Sequence, residues 1–246
     1  MKQYTPIRIL GIPFLPMTRR EAHAKLARLA LGRHTSRVFT PNPEILLHAS
    51  EDEAFATLLR SADLLLPDGV GVLLGARLLG TPLPERLSGI DSAEFLLSFA
   101  AKHSLRVFLL GGRKGVAEDA ARALSARFLG LRIVGTHHGY FEKATASSEN
   151  RSLLSLLQKA EPELLFVCFG APMQEIWISE NADKIPSLRL CMGLGGALDV
   201  WSGRIRRAPK SMQRCGLEWL WRTLSDPKRL PRLQSIPRFL WKIVQD

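Results

Sequence analysis

The stretch VFLLGGRKG, residues 107–115, joins an unbroken apolar run to a glycine-rich turn, and helical spacing follows over residues 115–128. An apolar run without polar alternation is typical of a strand that is buried on both faces of a parallel sheet. Glycine gives the backbone the freedom that a tight turn between a strand and a helix requires. This stretch therefore predicts a strand, a turn and a helix in direct succession.

The same pattern recurs on both sides of this stretch. Five more apolar runs end in small or polar residues, at 37–40, 64–67, 132–136, 164–169 and 188–192. Helical spacing recurs at 44–60, 70–79, 91–103, 149–160 and 174–181. Such alternation predicts an α/β fold, with a Rossmann-like, mainly parallel sheet that has helices on both faces. In these sheets ligands bind beyond the carboxyl ends of the strands, so the turns after the runs are the candidate site.

Length and composition exclude several classes of protein. The chain has 246 residues, of which 46% are hydrophobic, so it is neither disordered nor a disulfide scaffold. No window reaches the roughly 18 uncharged apolar residues of a membrane span, and no secretory signal is evident. Its three cysteines are scattered, which is typical of a reducing compartment. We expect a cytoplasmic chain with no disulfide and no metal site.

Positive charge is concentrated near the C-terminus. Residues 203–246 hold 11 basic and 3 acidic residues, which gives +8 of the total +11, and tryptophans are interleaved with the cations. We predict an α/β domain at 1–202 and a basic, Trp-rich helical appendage at 203–246. Such a segment suits an anionic membrane surface, although its tryptophans could also pack on the main core. Nucleic acid would attract the same charge, but no nucleic-acid motif accompanies it.

Polar side chains follow the first two strands. Asn42 lies between two prolines at a helix start, where its simplest role is that of a helix cap. Asp68 follows the run at 64–67, and it could cap the next helix or act as a catalytic base. Position alone does not separate these two roles.

Three other turns, at 111–115, 170–175 and 193–196, are rich in glycine and small residues. Glycine lets the backbone approach a phosphate closely, and a helix N-terminus favours its negative charge. The spacing matches neither a dinucleotide fingerprint nor a P-loop. Three such turns at one edge of a sheet indicate a substantial phosphorylated ligand. His137 and His138 would point in opposite directions on an extended chain, which disfavours a shared metal.

Together these motifs resemble those of the bacterial WecG/TagA/CpsF family of glycosyltransferases, also called glycosyltransferase family 26. The resemblance runs from about residue 40 to about residue 232. Its motifs are TPN at 40–42, LPDGVG at 66–71, ERLSGID at 85–91, LGG at 110–112, GTHHGYF at 135–141, GAPMQE at 170–175, GGALD at 195–199, residues 203–209 and GLEW at 216–219. Met173 departs from the family pattern, which often has lysine there.

The resemblance implies an inverting, metal-independent transfer of an N-acetylmannosamine-type sugar, without a cofactor, in bacterial cell-surface polysaccharide biosynthesis. The donor would be a UDP-sugar, and the acceptor a sugar on undecaprenyl diphosphate. The enzyme would be peripheral on the cytoplasmic face of the inner membrane, with the appendage closing the active site and docking on anionic lipid. Nucleic acid is not an expected partner, and self-association is open. The alternatives are another UDP-hexose as donor, such as UDP-glucose, or a non-catalytic basic module that binds acidic lipid or nucleic acid.

The resemblance also implies roles for single residues. Asp68 matches the family's proposed base, and Thr40, Asn42, Arg86 and Gln174 match positions that hold sugar. For the charge on the departing UDP, the candidate residues are Arg86, Arg207, Arg214 and Arg222. By position, the nucleotide is assigned to Gly111, Gly112, Gly139, Tyr140, Phe141, Gly195, Gly196 and Asp199. Simpler interpretations stay open: turn formation for the glycines, core packing for Tyr140 and Phe141, and for Asp199 a cap or an ion pair with Arg204 or Arg206.

Overall fold

All six predicted runs form strands of one sheet in the computed structural model, which describes residues 4–214, 217–225 and 234–245. The strands are β1 Ile7–Ile9, β2 Ile12–Phe14, β3 Ser36–Phe39, β4 Leu64–Leu65, β5 Arg106–Gly111, β6 Arg132–His137, β7 Leu164–Cys168 and β8 Leu190–Gly193. β3 to β8 form the sheet in the order β4-β3-β8-β7-β5-β6, and every neighbouring pair is parallel. The predicted parallel α/β sheet is confirmed, while β1 and β2 form a separate antiparallel pair.

Helices cover both faces of this sheet. They are α1 Arg19–Ala30, α2 Pro43–Glu51, α3 Glu53–Arg60, α4 Val70–Leu78, α5 Gly89–His103, α6 Val116–Arg127, α7 Ser148–Ala160, α8 Met173–Asn181, α9 Ala197–Trp201, α10 Lys210–Arg214, α11 Glu218–Ser225 and α12 Ser235–Gln245. Alternate residues of β5 enter two apolar cores, one under α2, α3, α4, α7 and α8 and the other under α1, α5, α6 and α9. The unbroken apolar strands follow from this burial on two sides.

Two local predictions were wrong or incomplete. The predicted helix at 44–60 is divided at Asp52, whose extended backbone ends α2 and whose carboxylate accepts a hydrogen bond from Phe55 N at 3.0 Å to cap α3. The sequence analysis also missed the β1–β2 pair and α1. A capping box formed by Thr18 and Glu21 begins α1, and this pattern could have revealed the helix.

The described part of the C-terminal segment packs on the main body. α12 lies against α2 and α4, and Phe239 and Ile243 are buried in the same apolar core as those helices. Gly75 of α4 makes this packing possible, because a Cβ there would lie 2.4 Å from Ile243 Cδ1. The domain division at residue 202 stays a prediction. Across residues 4–214, 217–225 and 234–245, no helix is long and apolar enough to cross a membrane.

Candidate active site

Two connected spaces lie beyond the carboxyl ends of the strands. One is a narrow cavity of about 180 Å³, and the other is a wider groove of about 770 Å³, a volume typical of small-molecule sites. The residues that line both are Thr40, Asn42, Glu44, Asp68 and Leu194. Asp68 therefore lies at the junction of the two spaces.

The surroundings of Asp68 hold it at this junction. Its backbone N–H donates to Pro41 O at 3.0 Å, and its Oδ2 accepts from Gly89 N at 3.3 Å, at the start of α5. The side chain is half-buried. The hydrogen bond to α5 satisfies a free helix N–H, as a cap does, but the helix concerned is α5 rather than the directly following α4. The carboxylate that is predicted to act as a base is thus also a hydrogen-bond acceptor at the start of α5.

Thr40 and Asn42 lie on the same junction. Thr40 is buried, and its hydroxyl donates to Gly193 O at 3.3 Å, which connects the ends of β3 and β8. Asn42 Oδ1 accepts from Ile45 N at 3.1 Å, with Pro43 as the first residue of α2. The cap interpretation of Asn42 is confirmed. Since both residues also line the cavity and the groove, they can contact a ligand from this position.

Gln174 supports one wall of the groove from inside the protein. It is 2% exposed, its Oε1 accepts from Gly195 N at 2.7 Å, and its Nε2 donates to Glu175 Oε1 at 2.8 Å. The glycine turn after β8 is therefore fixed to α8 through this amide. Glu175 is fully buried, and burial raises the pKa of its carboxyl group above the ordinary value. The sequence analysis included Glu175 in a motif but gave it no role.

The predicted nucleotide residues divide into two groups in space. The residues that line the groove are Gly112, Gly139, Tyr140, Gly195, Gly196 and Asp199. Tyr140 is 69% exposed there, so its ring does not pack in the core. Gly111 and Phe141 are not among the residues lining the groove. A Cβ on Gly111 would lie 2.4 Å from Cys168 O, and Phe141 packs edge-on against Phe169.

Arg204, one of the two arginines considered as ion-pair partners of Asp199, binds a different carboxylate. Arg204 binds Asp119, with Nη2 and Oδ2 2.8 Å apart, and this hydrogen bond holds the pKa of Asp119 below its ordinary value. The Asp199 backbone carbonyl accepts from Ile205 N at 3.0 Å. Asp199 itself lines the groove, where its carboxylate can accept hydrogen bonds from a ligand.

Two of the predicted arginines meet around one glutamate beside the narrow cavity. Arg86 Nη2 lies 3.5 Å from Glu218 Oε2, and Arg207 Nε lies 2.9 Å from Glu218 Oε1. Arg207 Nη2 is also 2.6 Å from Asp91 Oδ1. The charges of both arginines are therefore balanced by carboxylates. The side chains of Arg214 and Arg222 lie outside the described residues.

In the part of the chain that the structure describes, the cations that line the groove are Arg113, Lys143 and Arg204. Lys143 lies outside every motif that the sequence analysis used, so no sequence signal identified it. Helices α2, α6 and α8 also begin at or beside the groove walls, and their positive ends favour anions. Within the described ranges, no group of three or more His, Cys, Asp and Glu side chains is arranged to hold a metal ion.

Comparison with known proteins adds an independent finding. The sequence model of the Glycosyl transferase WecG/TagA/CpsF family matches residues 7–246. The chain belongs to this family. The resemblance inferred from the motifs is confirmed, and the family match extends beyond them to β1, β2 and α1.

Two named relatives match this chain over most of their length. A protein from Staphylococcus aureus is 33% identical over 239 residues, which cover 96% of this chain and 91% of the relative. One from Bacillus spizizenii is 34% identical over 208 residues, which cover 85% and 78%. Both are named N-acetylglucosaminyldiphosphoundecaprenol N-acetyl-beta-D-mannosaminyltransferase.

Proposed function

We propose that this chain transfers an N-acetylmannosamine-type sugar from a UDP-sugar to an N-acetylglucosamine on undecaprenyl diphosphate, with inversion at the anomeric carbon. The position of Asp68, where a wide groove meets a narrow cavity, is the observation that carries this proposal. One carboxylate there can face a donor on one side and an acceptor on the other. The names of the two relatives supply the acceptor and the sugar.

In the proposed reaction the donor binds in the groove. Its walls combine glycine turns, the N-terminal ends of helices and cations, which together favour a diphosphate. Tyr140 offers an exposed ring for a base to stack on, and Asp199 offers a hydrogen-bond acceptor for a ribose or uracil group. The cations and the helix N-termini of the groove would stabilise the negative charge of a departing UDP, so the proposed reaction needs no metal ion.

In the proposed reaction the acceptor sugar binds in the narrow cavity. This cavity is lined by Arg86 from the main body and by Glu218, Trp219, Thr223 and Ile236 from the C-terminal segment. An acceptor sugar there would lie between Asp68 and the helices that follow residue 209. The lipid diphosphate and its chain would leave along those helices, where the sequence is basic and rich in tryptophan. Peripheral binding to an anionic membrane surface is part of the proposal.

The chemistry is a single displacement. The acceptor hydroxyl oxygen attacks the anomeric carbon, the bond from that carbon to UDP breaks, and UDP leaves with the electron pair. Asp68 accepts the proton of the hydroxyl as the new bond forms. Since the attacking oxygen enters from the cavity side and UDP leaves on the groove side, the configuration at the anomeric carbon inverts.

A product assay tests the proposal. The purified protein is incubated with a panel of UDP-sugars and N-acetylglucosaminyl undecaprenyl diphosphate. The mass of the product is measured by mass spectrometry, and its anomeric configuration is determined by NMR. Asp68→Asn should lower the rate by roughly 10²–10⁴-fold, which is the usual contribution of a positioned base. The control is Asp183→Asn, because Asp183 is exposed and lies just before β8, at the opposite end of the strands. Full activity in Asp68→Asn, or a retained configuration, would overturn the mechanism.

A further inference from the structure

We propose that Lys143 is the cation that binds the diphosphate of the nucleotide in the groove, a role that rests on the proposed function. Lys143 lies in the loop between β6 and α7 and lines the groove. Neither its position in the sequence nor the family comparison assigns it a role.

Hydrogen bonds hold the lysine against the groove wall. Its Nζ donates to Gly139 O at 2.5 Å and to Phe141 O at 3.2 Å. An ammonium group has three N–H donors, so one remains for a ligand. The ammonium also lies over two rings, 4.7 Å from the centroid of Phe141 and 4.8 Å from that of Phe169.

This environment favours the binding of an anion to the ammonium group. Burial lowers the pKa of Lys143, because the ring faces and the loop replace part of the water that would solvate the charge. The charge of Glu149 offsets part of this effect, but Glu149 forms no ion pair with Lys143 among the described residues, so a phosphate oxygen could bind the ammonium directly. A hydrogen bond between two charged groups is shorter and stronger than one between neutral groups.

The loop of Lys143 also lies directly on the glycine turn that begins α6. Gly139 N donates to Gly112 O at 2.8 Å, and a Cβ on Gly139 would lie 3.1 Å from Gly111 Cα. The lysine and the N-terminal end of α6 therefore border the same part of the groove. An anion placed between them would meet a full positive charge on one side and a positive helix end on the other.

Three described arginines at the cavity and the groove already have carboxylate partners. Arg86 and Arg207 are paired with Glu218 beside the narrow cavity, and Arg204 is paired with Asp119. Among the groove cations within the described residues, Lys143 and Arg113 form no ion pair with a carboxylate. Arg113 is exposed, so Lys143 is the one that the protein holds in place.

Binding of three ligands by calorimetry tests this role. UDP, UMP and uridine are titrated into the wild type, Lys143→Met, Lys143→Arg and Lys114→Met, where Lys114 is an exposed cation next to Arg113 that does not line the groove. Lys143→Met should weaken UDP binding by about tenfold or more and leave uridine unchanged, since the lost contact is with phosphate. Lys143→Arg should regain part of the affinity, and Lys114→Met should match the wild type.

The outcomes separate this role from the proposed function. If the wild type binds no UDP, the proposed function fails; if Lys143→Met binds UDP as well as the wild type does, only the role of Lys143 fails. Equal weakening of UDP and uridine would assign Lys143 to packing and would also overturn the role. Thermal unfolding checks each variant, and Lys143→Gln replaces Lys143→Met if the latter does not fold, because an amide can still donate to the two carbonyls.

Discussion

Glu175 is an acid that is fully buried in the folded chain, and its contribution to stability depends on pH. Burial raises the pKa of its carboxyl group, so the folded state binds this proton more tightly than the unfolded state does. Between the ordinary and the raised pKa the folded state therefore holds more protons, and the free energy of unfolding falls as the pH rises. Below the ordinary pKa the two states are protonated alike.

Glu175→Gln removes this pH-dependent cost. We expect the variant to be more stable than the wild type at pH 8, because it replaces a carboxyl group whose charged form is penalised by burial with a neutral group of the same shape. The gain should shrink as the pH approaches the ordinary pKa of glutamate, near about 4.3. Urea unfolding at three pH values measures it, with Glu180→Gln, an exposed acid on the same helix, as the control. A gain that is independent of pH would contradict the assignment.

Single residues could be predicted from the sequence where a strand end fixes their place. Asp68 and Asn42 each follow an apolar run directly, so both were expected at the carboxyl edge, and they lie there. Lys143 comes six residues after β6, in a loop whose path only tertiary contacts determine. The meeting of Arg86 with Glu218 joins residues 132 positions apart, which no local pattern encodes.

Helix α12 is attached to the main body through one of its faces. Phe239 and Ile243 are buried against α2 and α4, while Trp241 and Val244 are 67% and 70% exposed. This spacing places the two pairs on opposite sides of the helix. The contact is close at Gly75, where a Cβ would lie 2.9 Å from Phe239 Cε1.

Phe239→Ala should therefore release α12 from the main body. Truncating a buried phenylalanine commonly costs about 3–5 kcal/mol, which exceeds what a helix of this length can supply by itself. Amide hydrogen exchange in residues 235–245 should become at least about tenfold faster. Val244→Ala is the matched control and should leave the exchange unchanged. Equal exchange in both variants would show that the buried face does not hold the helix.

Strands and helices could be predicted from the sequence to different degrees. Apolar runs identified all six strands of the main sheet. The inner strands β5 and β7 are buried on both faces and have no polar side, whereas the edge strand β6 is only partly buried. The helix predicted at 44–60 was wrong at its centre, because Asp52 favours capping over the helix interior and so ends one helix and begins the next. Such competition between a side chain and the backbone is local, so a search of the sequence for capping residues could have identified the break at Asp52.

At the scale of the whole molecule, the parallel arrangement explains why distant motifs form one site. In the sheet order β4-β3-β8-β7-β5-β6, neighbours such as β3 and β8 are separated by 150 residues of chain, yet their carboxyl ends lie side by side. The sequence predicted this shared edge through the rule for parallel sheets. It did not predict the strand order, because the order depends on packing between segments that are far apart along the chain.

An exposed apolar and basic surface predicts how the molecule meets a membrane. Trp241 and Val244 of α12 are exposed, and Leu78 of the neighbouring helix α4 is 59% exposed. Lys242 is half-buried and its Nζ donates to Ser50 O at 3.4 Å, whereas Arg238 of the same helix is exposed. Tryptophan at a lipid interface and cations near anionic lipid each contribute favourably, the latter about 1 kcal/mol per charge. We expect the protein to sediment with vesicles that contain phosphatidylglycerol and to be released by high salt.

The double change Trp241→Ala and Val244→Ala should weaken this sedimentation without changing the net charge. Its control is Leu129→Ala, because Leu129 is 88% exposed but lies between α6 and β6, at the amino-terminal edge of the sheet. If charge alone held the protein to lipid, the double variant would bind like the wild type and only salt would release it. Equal binding to vesicles of phosphatidylcholine alone would exclude the role of charge, since those vesicles carry none. We expect the double variant to lose binding and high salt to release the wild type. Together these two results would show that binding needs both the apolar face of α12 and the basic charge around it.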